Sequence, residues 1–122
     1  MDEYEFVKKF DECDSAIDPL REAVFEAVIA DEYASKGDWK NARDKLERAL
    51  DRLRKFTPAT YRALDRGILK EDEIEKLKEE ITKLRSIADK RDEDEWMEEA
   101  EEKIIPYIVE IVYRNFAKCM VR

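Results

Sequence analysis

Residues 29 to 53 read IADEYASKGDWKNARDKLERALDRL, and the reading of this stretch decides the fold. Apolar and small residues recur every three or four positions on both sides of Gly37-Asp38, which is the period of an α-helix and not of a strand. Glycine takes the left-handed conformation that ends a helix, and aspartate accepts from the free amides that open the next one. The stretch is therefore predicted to hold the end of one helix and most of another. Their connection is so short that the two must run antiparallel. The second of them, 38 to 56, carries Trp39, Ala42, Leu46, Ala49, Leu50, Leu53 and Phe56 on one face.

Working outward, Asp18 followed by Pro19 is a start signal, because proline at the first helical position lacks only an N–H that would be unbonded anyway. It places the beginning of the first hairpin helix at residue 18 and its end near Lys36. A separate helix is predicted over 2 to 13, with Tyr4, Phe6, Val7 and Phe10 as its apolar positions. Thr57-Pro58 repeats the start signal for a short helix that ends near Arg66, with Gly67 as its stop. From about Lys70 to Lys90, Ile74, Leu77, Ile81, Leu84 and Ala88 form a narrow heptad seam. Asp92 and Glu95 resemble a capping box for a last helix running towards Met120. Its middle, IIPYIVEIVY from 104 to 113, is apolar on nearly all sides, as expected of a helix at the centre of a bundle. Pro106 is expected to kink it. A strand there would have nothing to pair with. The expectation is an all-α, compact bundle of five to six helices, one domain over 1 to 122, containing one repeat-like antiparallel hairpin.

Composition narrows the chemistry. The 122 residues are 46% charged and include no His, two Gly, three Pro and two Cys. Without histidine there is no Ser-His or Cys-His nucleophile pair, no His-ligated metal and no imidazole base. The net charge of -8 is concentrated in residues 92 to 102, DEDEWMEEAEE, which leave 24 acids against 24 bases elsewhere. A balanced remainder without a basic stripe argues against nucleic acid as a ligand. Charge richness with no Gln and only two Asn, Asn41 and Asn115, matches heat-adapted proteins and points to a thermophile. No signal peptide or membrane span is recognisable, so a cytoplasmic protein is expected. In an ordinary cytosol Cys13 and Cys119 would be two buried thiols; a staple between the termini is the alternative, one that hyperthermophile cytosols tolerate.

Tyr33, Gly37, Trp39, Ala42, Leu46 and Ala49, with Ala30 at a small-residue position, resemble the signature of a tetratricopeptide repeat over residues 23 to 56. The resemblance implies a close-packed helical hairpin that contributes to protein interaction. No second copy follows, so it is expected as one hairpin absorbed into a bundle. Similar hairpins occur in HEPN domains and in peptide-binding MIT domains. The HEPN ribonuclease motif needs a histidine, so a resemblance to that group implies a non-catalytic member.

Two sets of residues are candidates for function. Glu95, Glu98, Glu99 and Glu102 lie at i, i+3, i+4 and i+7, one face of an α-helix, with Trp96, Met97, Ala100 and Ile104 turned to the core. That face is either solvated, or a docking surface for a basic partner, or a divalent-metal site. For the last, the E-x-x-E spacing resembles that of helical pyrophosphatases, which implies a hydrolase of nucleotides or phosphate esters. Asp31 and Ser35 are further candidates for partner contacts. Trp39, Tyr33, Tyr61 and Trp96 could line a ligand site, but aromatics at this spacing are expected in the core. Phe25 and Ile29 lie off the stripe of Leu20, Val24, Ala27 and Val28, so they are covered by the terminal helices or form an apolar patch for a second subunit or a partner helix. Seven acid-first pairs four residues apart are expected to form ion pairs: Glu5–Lys9, Asp44–Arg48, Asp51–Lys55, Asp72–Lys76, Glu79–Lys83, Glu99–Lys103 and Glu110–Arg114. The expected function is that of a small protein-interaction or scaffolding module, not an enzyme, with no cofactor. Its partner would be a protein with a basic surface or a second copy of the chain, the latter paired along the Ile74 to Ala88 seam.

Overall fold

The computed structural model describes residues 1–122 and contains five helices and no strand. They are α1 (Glu3–Ser35), α2 (Trp39–Arg52), α3 (Pro58–Asp65), α4 (Glu71–Lys90) and α5 (93 to 120). Helix α5 opens with one α-turn, passes through a π-helical stretch at Trp96–Ile104 and continues as α-helix over Ile105–Met120. The antiparallel hairpin forms, although its second helix ends at Arg52 and not at 56. Gly37 has φ of +76°, and Asp38 accepts from the Asn41 amide at 3.2 Å. Ala23, Ala27, Ala30 and Ala34 of α1, with Ala42, Leu46 and Ala49 of α2, are buried. Their small side chains let the two axes approach closely.

Two expectations about α1 are overturned. There is no break at residue 18: α1 runs for 33 residues with Pro19 inside it. Proline in a helix interior removes a hydrogen bond to the preceding turn and crowds its carbonyls. The carbonyl left without its helical donor is that of Ser15, and in the same turn the neighbouring Ala16 carbonyl is bonded from outside, where the buried Thr60 hydroxyl of α3 donates to it at 2.8 Å. The second correction concerns the centre of the bundle. Helix α1, not α5, is the hub, packed against α2, α3 and α5. Helix α4 lies on α2, and the π stretch of α5 reaches α4 and closes the ring.

The seam of α4 is spent inside the chain, with Ile74, Leu77, Ile81, Leu84 and Ala88 all buried, so it offers nothing to a second subunit. Residues 104 to 113 are helical, and Pro106 stands where the π stretch gives way to α-helix, which begins one residue earlier. Cys13 and Cys119 are not free thiols but form a disulfide, because antiparallel α1 and α5 bring their Cα atoms to 5.7 Å.

Of the seven expected same-helix pairs only Glu99–Lys103 forms. Such pairs are worth about 0.2–0.5 kcal/mol each, and carboxylates partly buried between helices compete for the same cations. Glu73 takes Arg114 and Lys118, and Glu80 takes Lys76 and Lys83. No helix is long and apolar enough to cross a membrane.

Candidate interaction surface

The acidic segment is rearranged by the π geometry. Each turn of a π-helix takes in an extra residue, so burial recurs at Trp96, Ala100, Ile104 and Ile108, every fourth position. The α-helical spacing of Glu95, Glu98, Glu99 and Glu102 consequently no longer defines one face. Glu95 and Glu99 are half-buried and hold Lys90 at 2.6 Å and Lys103 at 3.0 Å. Glu98 and Glu102 stand exposed beside Met97, which faces solvent and not the core. No three Asp, Glu or Cys side chains stand together as a metal-binding group.

Asp31 is placed differently from the expectation of a free surface residue. Its carboxylate accepts from the indole N–H of the buried Trp96 at 2.8 Å. It also shares a hydrogen bond with Glu101, and this bond, then partial burial, then the charges of Asp31 and Glu102 hold the Glu101 carboxyl above the usual carboxylate range. Ser35 donates to the Glu32 carbonyl at 2.8 Å and ends the helix. Of the aromatics, Trp96 is in the core and meets Trp39 edge-on at 6.0 Å, with Tyr33 and Trp39 packed against that core. Tyr61 is 53% exposed and lies against Phe56.

A groove of about 440 Å³ runs between α1 and α5. Ile17 and Val24 form its floor, Phe10, Phe25 and Val28 one wall, and Val109, Tyr113 and Phe116 the other. The disulfide joins the two helices at one end of their contact, and the hydrogen bond from Trp96 to Asp31 joins them at the other. Phe25 and Ile29 are 52% and 41% exposed, so the terminal helices do not cover them. Val28, expected in the core stripe, is 45% exposed. Beyond the disulfide the first turns of α1 overhang the bundle, with Tyr4, Phe6 and Val7 exposed.

Sequence reading missed Val28, Val109 and Tyr113 as surface residues. A signal was present: Val7, Phe10, Asp14, Ile17, Arg21, Val24 and Val28 are spaced 3, 4, 3, 4, 3, 4 along α1. The break assigned at Pro19 cut that heptad pattern in two. One polar pair lies on the apolar face, Arg21 with the Asp14 and Asp18 carboxylates.

Compared with known proteins, the chain matches no family model, no curated protein and no solved structure.

Proposed function

We propose that this chain is a non-enzymatic protein-interaction module whose contact surface is the apolar face of α1 and α5. One observation carries the reading. In a chain that is 46% charged, Phe10, Phe25, Val28, Val109 and Tyr113 are left between 42% and 72% exposed and contiguous along one groove. Covering a large apolar side chain is worth about 1.5–3 kcal/mol, so a face of this kind marks a place where another chain sits. The disulfide supports it by fixing the two helices that line the groove, so that little ordering is left to binding. Glu98 and Glu102, exposed and without an ion-pair partner, give the module a secondary, salt-sensitive attraction for basic side chains. The tetratricopeptide-like hairpin serves in this reading as scaffold, because its small residues are used up in packing α1 on α2.

The test compares a tagged wild-type bait with a Val28→Asp/Val109→Asp bait in the native host. The wild type is expected to retain one protein chain in stoichiometric amount and the variant to lose it. Equal recovery by both baits would contradict the proposal.

A further inference from the structure

Resting on that reading, we infer that the occupant of the groove is a second copy of this chain, lying antiparallel across α1 about a two-fold axis between Ile17 and Asp18. The argument begins with register. An antiparallel copy centred between Ile17 and Asp18 brings Val7 opposite Val28 and Phe10 opposite Phe25, all four of them exposed, above the buried floor of Ile17 and Val24. The same register sets Asp14 opposite Arg21, twice per dimer. The two charged residues that interrupt the apolar face are therefore complementary under the operation that pairs the face with itself, which is the requirement of an isologous interface. Arg21 already binds Asp14 and Asp18 of its own chain, and its side chain remains 27% exposed towards the groove, in position to bridge to the copy.

The ends fit as well. The overhanging start of α1 carries exposed Phe6 and Val7, and the far end of the same helix carries exposed Val28 and Ile29. Each is without cover in its own chain, and the antiparallel register lays one on the other. The α5 side chains Val109 and Tyr113 border this seam, so that two α1–α5 pairs form a four-helix layer. Stable dimers bury about 800 Å² per partner over roughly 20–30 residues a side, a size that a seam of some six helical turns flanked by a second helix supplies. Charge favours the antiparallel sense too. Residues 92 to 102 begin α5, next to the end of α1, so the two acidic blocks of a dimer lie at its opposite ends, beyond the reach of unscreened repulsion.

The experiment exploits the Asp14–Arg21 layer in the full disulfide-bonded chain. By sedimentation equilibrium at about 100 μM, the wild type is expected at twice the chain mass. Asp14→Arg and Arg21→Asp each place like charges opposite one another and are expected to weaken association at least about tenfold. Mixed one to one, the two variants regain two Arg–Asp layers and are expected to form a heterodimer. Val7→Asp, on the overhanging arm, is expected to loosen the dimer while leaving the helix content of the chain unchanged, which guards against variants that fail to fold. A wild type that stays at the single-chain mass, or folded variants that stay apart on mixing, would overturn the inference. If the wild type is single while the tagged bait still retains a different protein through the groove, the self-association fails and the interaction module stands. If the bait retains nothing, both fail.

Discussion

At the scale of single residues, the least comfortable contact is the one between Asp31 and Glu101. Two carboxyl groups come together there, and Asp31 also accepts from the indole of Trp96. Glu101 is held above its ordinary range when folded, so the folded chain binds that proton more tightly than the unfolded chain. Between the two pKa values folding takes up protons, and stability falls as pH rises through that window; above it the full cost of two charges is present. Glu101→Gln keeps a donor for Asp31 and removes one charge. It is expected to raise stability at pH 7 by a few tenths of a kcal/mol, with the gain vanishing in acid, below the ordinary carboxylate range, as read by thermal unfolding at both pH values. A loss at pH 7 would show that the second charge is needed. Sequence reading could single out Asp31 but not its partner, because 70 residues separate the two and only the antiparallel packing of α1 on α5 joins them.

At the scale of elements, local signals were read correctly wherever one interaction dominates. Thr57, Asp38 and Asp92 cap the helices assigned to them, with the amides of Thr60, Asn41 and Glu95 as donors. They failed where tertiary contacts override them. Asp18-Pro19 has the form of a start signal, but the apolar residues on both sides of it are wanted on one continuous rod, and Thr60 supplies a donor for the disturbed turn. Thr60→Val removes that hydroxyl with little change of shape. It is expected to cost about 1–2 kcal/mol in urea unfolding, and an unchanged midpoint would show that α1 runs through Pro19 without this bond. The π stretch was illegible for a different reason. Burial every fourth residue at Trp96, Ala100, Ile104 and Ile108 is a weak pattern, so the acids between them were assigned to an α-helical face that does not exist.

At the scale of the whole molecule, the ring of α1, α2, α4 and α5 leaves one side of α1 and α5 uncovered. Helical content and the hairpin were legible because they follow from spacing and caps. Which helix is central was not, since α5 is more apolar than α1 and only packing shows that its surplus faces outward. The disulfide closes a chain separation of 106 residues, a constraint worth about 4.8 kcal/mol by loop entropy, and it holds the two helices of the open face as a unit. That face is the centre of the account, and a long-range effect tests it directly. Val28 and the overhanging arm around Val7 lie on the same helix about 30 Å apart, too far for contact within one chain, yet adjacent across the inferred dimer. Amide hydrogen exchange of residues 4 to 12 should therefore be slow in the wild type and fast in Val28→Asp. Equal exchange of that arm in the two proteins would contradict the account.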